Sequence, residues 1–167
     1  MLNSDNYVEY AFKARPTASF YVKLVIAMWI ILLGIPMLLF IGGIGLIISI
    51  IGICLFIYFL GFGKVEYEYT LTNGSVEIAA IYNASKRKEL FHFEMEQVTM
   101  IVPENSNRIE HENFAKKRNY TSGNKDRKNA VTMVVEINGG KQAVSMELNE
   151  KCMEHIRLYA KNKIYDL

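Results

Sequence analysis

The most informative absence in this chain is charge, because residues 24–63 contain no Asp, Glu, Lys, Arg or His. A helix needs about 20 apolar residues to cross the roughly 30 Å hydrocarbon layer of a membrane. One helix over this whole stretch would be about 60 Å long, so the chain must turn back. Gly42, Gly43 and Gly45 lie near the midpoint, where helix propensity is lowest. The sequence therefore predicts two transmembrane helices, over residues 21–41 and 44–62.

The same stretch argues against two other classes of segment. A cleaved signal peptide has an apolar region of about 7–15 residues followed by a small-residue cleavage site, and neither feature is present. Ion and proton pathways normally need ionisable groups within the membrane, which this stretch lacks. The sequence therefore favours a membrane anchor over a transporter or a channel.

Motifs of catalysis and metal binding are also lacking. The chain has no His-x-x-x-His or Cys-x-x-Cys spacing, no Gly-x-Ser-x-Gly elbow and no phosphate-binding loop. His92, His111 and His155 are scattered, and each is interpreted as a surface histidine. The two cysteines, Cys54 and Cys152, are too few for a disulfide framework and fit a reducing compartment. The sequence predicts no enzyme, no cofactor and no metal. Nucleic acid is not expected either, because no recognition helix or aromatic platform is evident.

Cations flank the apolar stretch but are absent from its central turn. Lys13, Arg15 and Lys23 precede or open the first predicted helix, and Lys64 follows the second. Cytoplasmic loops of membrane proteins carry an excess of Lys and Arg. We therefore expect both termini to be cytoplasmic, with the protein in the cell membrane.

The N-terminal residues 1–19 carry aromatic and cationic side chains close together. Tyr7, Tyr10 and Phe12 lie near Lys13 and Arg15, which suits the headgroup layer of a membrane. The sequence predicts a short interfacial amphipathic helix over residues 4–14, and the alternative is a flexible tail.

The hydrophobic period changes to two after Gly63. In residues 65–72 alternate side chains, from Val65 to Leu71, are apolar, and Asn73-Gly74 follows as a strong hairpin signal. Further strands are predicted over residues 75–82, 89–95 and 97–102. Residues 103–129 are polar and remain open between an edge strand around 113–120 and a loop.

A second hairpin and a helix complete the prediction. Residues 130–137 and 141–148 form the hairpin around Asn138-Gly139-Gly140, and Asn149 is a suitable N-cap for a helix that extends to about residue 163. We expect an α+β membrane protein, with a transmembrane helical hairpin (residues 20–63) followed by an antiparallel β-barrel or sandwich with a C-terminal helix (residues 64–167).

Several parts of the chain resemble two bacterial families. A helical hairpin that continues into Tyr67-Glu68-Tyr69-Thr70-Leu71-Thr72-Asn73-Gly74 resembles bacterial membrane proteins with a pleckstrin-homology-like domain. Residues 8–17, 66–78, 86–88 and 159–165 resemble, more closely, a family of short bacterial membrane proteins. The resemblance implies a pleckstrin-homology-like fold in the cytoplasm and implies no reaction.

Basic clusters provide the candidate binding residues. If they face an anionic inner leaflet, each cation near the surface contributes about 1 kcal/mol. Solvated turns are the alternative reading of the same clusters. We predict a non-enzymatic, membrane-anchored module that recognises anionic lipid headgroups or a protein partner. The alternative is a scaffold subunit that packs with other membrane proteins or with copies of itself. The candidate lipid-binding or partner-binding residues are Lys86, Arg87, Lys88, Lys116, Lys117, Arg118, Lys125, Arg127 and Lys128.

Overall fold

The computed structural model describes residues 7–110, 112–124 and 129–166. The chain divides into two units. The helical unit consists of Arg15–Val65 and Tyr82–Lys86. The β unit consists of the described residues of 7–14, 66–81 and 87–166. The elements in chain order are β1 (Tyr7–Ala14), α1 (Ala18–Ile41), α2 (Gly43–Leu60), β2 (Val65–Thr72), β3 (Ser75–Tyr82), β4 (Lys86–Glu94), β5 (Val98–Pro103), β6 (Lys116–Asn119), β7 (Ala130–Ile137), β8 (Gly140–Glu147) and α3 (Glu150–Ala160).

The two predicted transmembrane segments are α1 and α2, which are long and apolar enough to cross a membrane. Only 11% of the most apolar stretch of each helix is buried, so neither is the core helix of a soluble domain. Gly42 joins them with a φ of 63°, a left-handed conformation that glycine adopts without strain. A Cβ at Gly45 would collide with the backbone of Leu38, so the missing side chain lets the antiparallel helices approach closely.

The interfacial helix expected over residues 4–14 is wrong wherever the structure describes the segment, because Tyr7–Ala14 is strand β1. Its side chains alternate between exposed and half-buried, with Val8, Tyr10 and Phe12 on the half-buried face. The Phe12 ring centroid lies 5.3 Å from that of Tyr69 in β2. Packing of aromatic rings on a neighbouring strand stabilises the extended conformation and overrides the helical pattern.

The β unit contains two four-stranded sheets, with strand orders β1-β2-β3-β4 and β5-β7-β8-β6. The hairpins β2–β3 and β7–β8 are confirmed, and their turn residues Asn73 and Asn138 have φ of 50° and 52°. The edge strand considered around residues 113–120 is confirmed as β6, but it pairs parallel to β8 rather than antiparallel.

The first sheet includes β1, so the helical hairpin lies in the chain between two neighbouring strands, β1 and β2. A fragment that begins at residue 64 would therefore lack one strand of this sheet. Experiments on the β unit accordingly need the full chain.

The C-terminal helix α3 is confirmed, and its Asn149 cap accepts a 2.8 Å hydrogen bond from the backbone N–H of Cys152. Cys152, Ile156 and Ala160 are buried against the core, whereas Tyr159, expected on the same stripe, is 39% exposed. The core beneath the helix is formed by inward-facing side chains of both sheets, including Tyr69, Leu71, Ile78, Phe93, Val131, Met133, Val144 and Met146.

Candidate functional site

All the charged side chains of the helical unit lie toward one of its two ends. The unit contains four cations, Arg15, Lys23, Lys64 and Lys86, and no Asp or Glu. Because α1 and α2 are antiparallel, the start of α1 and the end of α2 meet at the end opposite Gly42. We call this the basic end. It combines four positive charges with no internal carboxylate to neutralise them.

Aromatic contacts hold the basic end together. Phe20 packs on Gly63, where a Cβ would approach the ring to 2.6 Å, and this contact joins the start of α1 to the chain that leaves α2. The ring centroids of Phe62 and Tyr82 are 6.0 Å apart. The Lys23 ammonium lies 6.0 Å from the Phe59 ring centroid. Aromatic rings beside long cationic chains are typical of the headgroup layer of a membrane.

The β3–β4 turn is part of the same end. The backbone N–H of Asn83 donates to the Lys64 carbonyl oxygen at 2.9 Å, and the N–H of Ser85 donates to the Tyr82 carbonyl oxygen at 3.1 Å. Lys86, a predicted site residue, follows this turn and is exposed.

Arg87, the second member of the first predicted cluster, is held by carboxylates of its own sheet. Its guanidinium lies 2.7 Å from Glu68 and 2.8 Å from Glu77. Hydrogen bonds to Glu68 and then Glu77 raise the pKa of Arg87 and compensate its charge. Lys88, on the next position of β4, is exposed. The structure therefore leaves Lys86 and Lys88 as the exposed lysines of this cluster.

The second predicted cluster lies on β6, and one of its members also has structural contacts. The Arg118 guanidinium donates to Gln142 at 3.0 Å and to the Tyr120 hydroxyl at 3.3 Å, and lies 4.3 Å from the Phe91 ring centroid. Lys116 and Lys117 are exposed. Lys125, Arg127 and Lys128 lie outside the described residues.

A serine, a histidine and a carboxylate meet on the first sheet, a juxtaposition that the sequence did not suggest. His92 Nε2 lies 2.7 Å from the Ser75 hydroxyl and 3.4 Å from the Glu94 carboxylate. A catalytic triad needs the acid on the opposite ring nitrogen, where it orients the imidazole. Here both partners meet the same nitrogen, and the His92 and Glu94 side chains are nearly half exposed. The arrangement is that of a surface hydrogen-bond cluster.

The other predicted histidines and cysteines show no arrangement for chemistry. The expectation of a surface position is wrong for His155, which is buried with its ring centroid 5.1 Å from that of Tyr159. Burial raises the pKa of the Cys152 thiol to about 11. His111 lies outside the described residues. Within the described ranges, no group of three or more His, Cys, Asp and Glu side chains could hold a metal ion.

Comparison with known proteins identifies the family. A family model described as a bacterial PH-like domain (DUF6106) matches residues 4–166. No curated protein and no solved structure matches the chain. PH-like domains are generally non-catalytic binding modules, which agrees with the expectation from the sequence. Because the match covers both apolar helices and the two sheets, the chain belongs to the bacterial PH-like domain family DUF6106.

Proposed function

We propose that the protein is a membrane-anchored binding module that recognises anionic lipid headgroups at the cytoplasmic face of the cell membrane. The observation that carries this proposal is the basic end of the helical unit, with four cations and no carboxylate. At 1.5 Å per residue, the 24 residues of α1 and the 18 residues of α2 span about 36 and 27 Å. Both lengths suit a bilayer core of about 30 Å.

The sign and position of the charges favour a cytoplasmic location for the basic end. Lys and Arg concentrate on the cytoplasmic side of membrane proteins, and the opposite end of the helical unit, at Gly42, has none. Both termini would then be cytoplasmic. Reporter fusions at residues 1 and 167 should place both in the cytoplasm, and opposite compartments would contradict the two-span anchor.

Anionic headgroups would be enriched around this end by Coulombic attraction. Each Lys or Arg near an anionic leaflet contributes about 1 kcal/mol. Lys23 lies within the first turns of α1, and its long side chain can extend toward the headgroups while its methylenes stay in the apolar layer. Lys88, Lys116 and Lys117 on the β unit are exposed and are proposed as further headgroup contacts, as are Lys125, Arg127 and Lys128.

The single tryptophan of the chain allows a direct test. Trp29 lies in α1 and is 58% exposed, so in a membrane it would contact lipid chains. We suggest reconstituting the full chain in phosphatidylcholine vesicles that contain a fraction of brominated phosphatidylglycerol or of brominated phosphatidylcholine. Bromine quenches tryptophan on contact, so stronger quenching by the anionic lipid measures its local enrichment. The difference should shrink as salt is raised, because exposed charges are screened.

Matched variants test whether the enrichment of anionic lipid depends on the lysines of the basic end or on any exposed lysine of the protein. Lys23→Gln with Lys64→Gln should reduce the excess quenching by brominated phosphatidylglycerol. Lys151→Gln, an exposed lysine on α3, should leave it unchanged. Equal quenching of the wild-type protein by both brominated lipids would contradict headgroup recognition.

A second candidate is a protein-binding or scaffold role, in which the hairpin packs with other membrane proteins. The intramolecular partners of Arg87 and Arg118 favour it for the β unit, because two of the predicted lipid contacts already serve the fold. Equal quenching by both lipids would place this candidate first.

A further inference from the structure

The outer face of the second sheet carries a cleft that no sequence motif indicated. A polar segment, residues 104–110 and 112–115, forms one side of it, and we call this segment the strap. The Glu104 N–H donates to the Ala130 carbonyl oxygen, and the Ala115 N–H donates to the Lys141 carbonyl oxygen. Ala130 and Lys141 lie toward opposite ends of the β7–β8 hairpin. The strap therefore runs along the length of this hairpin.

The cleft lies between the strap, the sheet face and β6. Its volume is about 490 Å³, within the range of about 300–1,000 Å³ that small-molecule sites occupy. Thr132, Ala143 and Ser145 form its floor, and Thr132 and Ser145 face each other across β7 and β8. Ala143 contributes only a methyl group, which leaves space beneath the strap.

The two sides of the cleft carry opposite charges. Glu104 and Glu110 come from the strap, and Lys117 and Arg118 come from β6. Their formal charges cancel, so the cleft gives a polyanion no net attraction. A ligand with a positive group at one end and a negative group at the other fits this separation of charge.

Two of the four charged side chains, Glu110 and Lys117, are exposed and can therefore contact a ligand. The Arg118 guanidinium is held by Gln142 and Tyr120. Glu110 and Lys117 are exposed, and the Lys117 ammonium lies 5.7 Å from the Phe114 ring centroid. An ammonium group would pair with Glu110 and a carboxylate with Lys117 through charge-assisted hydrogen bonds.

The floor offers hydrogen bonds between the two charged sides. The hydroxyl oxygens of Thr132 and Ser145 are 3.1 Å apart, and Thr132 is only 2% exposed. One hydroxyl donates to the other, which leaves one O–H donor and further lone pairs for a ligand. Ile109 and Phe114 add apolar contact for a short methylene chain.

We propose that this cleft binds a small zwitterion of the amino-acid class, with its ammonium group at Glu110, its carboxylate at Lys117 and its chain over the Thr132–Ser145 hydroxyl pair. This site lies within the β unit and involves no residue of the basic end, and it shares with the lipid proposal only Lys117, which that proposal names as a further headgroup contact.

Binding of a series of ω-amino acids to the full chain in detergent micelles tests the proposal. The probes are glycine, 3-aminopropanoate, 4-aminobutanoate, 5-aminopentanoate and 6-aminohexanoate, which differ only in the separation of their two charges. Saturation-transfer NMR should detect binding at millimolar concentration, strongest for one chain length. The alkylamine and the carboxylate of that length should each bind more weakly. No binding by any member, or equal binding by the singly charged compounds, would overturn the proposal.

Variants locate the bound probe. Glu110→Gln and Lys117→Gln should each weaken the best probe about tenfold or more, since each removes a charge-assisted hydrogen bond. Thr132→Val keeps the side-chain shape, and it should also weaken binding if the protein remains folded by its melting temperature. Glu89→Gln and Lys151→Gln, which are exposed residues outside the cleft, are the matched controls. Equal weakening by these controls would contradict binding in the cleft.

Discussion

The backbone N–H of Asn83 donates a 2.9 Å hydrogen bond to the carbonyl oxygen of Lys64. Asn83 belongs to the β3–β4 turn, and Lys64 directly precedes β2. Both residues are part of the helical unit, so this turn is fixed to the chain that leaves α2. The next residue, Ala84, has a φ of 53°, a conformation that non-glycine residues adopt with strain.

We therefore predict that Ala84→Gly stabilises the protein. Relief of the Cβ strain, about 1–2 kcal/mol, should outweigh the extra backbone entropy of glycine in the unfolded chain, about 0.5–1 kcal/mol. Denaturant unfolding in micelles should show a higher midpoint. The matched control is Ala115→Gly, an exposed alanine without positive φ, which should lower the midpoint. Equal shifts in the two variants would contradict the strain at Ala84.

The two Asn-Gly turns provide a matched pair for a second prediction. Gly74 and Gly139 have φ of 85° and 75°, so alanine is strained at both, by about 1–2 kcal/mol. A Cβ at Gly74 would also lie 3.0 Å from the Tyr159 ring, whereas a Cβ at Gly139 would have no heavy atom within 4 Å. Gly74→Ala should therefore cost about 1 kcal/mol more than Gly139→Ala, and Gly74→Val should cost more again. Equal unfolding free energies for the two alanine variants would show that the Tyr159 ring can move away from the new Cβ without loss of stability.

These turns also show which parts of the fold can be predicted from the sequence. Asn-Gly between alternating strands needs only local chemistry, and both hairpins were predicted correctly. Strand β1 was missed because Tyr7, Tyr10 and Ala11 also fit a helical spacing, and the deciding contact, Phe12 on Tyr69, joins residues far apart in the chain.

The candidate site was predictable only in part, for the same physical reason. The basic clusters are visible as runs of cations, but their partners come from other strands. Arg87 meets Glu68 and Glu77 of β2 and β3, and Arg118 meets Phe91 of β4. The cleft under the strap depends on which polar residues the parallel pairing of β6 with β8 brings onto one face. Sequence periodicity carries no information on that pairing.

A third prediction concerns alkaline pH. Burial raises the pKa of the Cys152 thiol to about 11 from its ordinary value of 9.0, so the folded state keeps a proton that the unfolded state releases. This contribution to stability is fully present below pH 9 and is lost as the pH rises toward about 11. Its size is about 1–3 kcal/mol, at about 1.4 kcal/mol per pKa unit.

Cys152→Ala isolates that contribution. The variant should be less stable at neutral pH, because it leaves a small cavity, but it should lose less stability between about pH 9 and 11 than the wild-type protein. Denaturant midpoints across this range measure the difference. Parallel pH curves would show that the thiol does not titrate with unfolding.

The last prediction concerns the Tyr69 hydroxyl, which joins β2 of the first sheet to the chain beyond β6 and to β8 of the second sheet. The hydroxyl donates to the Tyr120 carbonyl oxygen at 2.7 Å and accepts from the Glu147 N–H at 3.2 Å, and Tyr69 is completely buried. Tyr69→Phe keeps the ring but removes both hydrogen bonds, so it should destabilise the protein by about 1–3 kcal/mol. Tyr7→Phe, whose hydroxyl bonds Glu9 at the exposed surface, is the matched control and should change little. Because the loss is local, the Glu147 amide should also exchange its hydrogen faster in Tyr69→Phe than in Tyr7→Phe. Unchanged exchange at Glu147 in Tyr69→Phe would contradict a stabilising hydrogen bond between this amide and the Tyr69 hydroxyl.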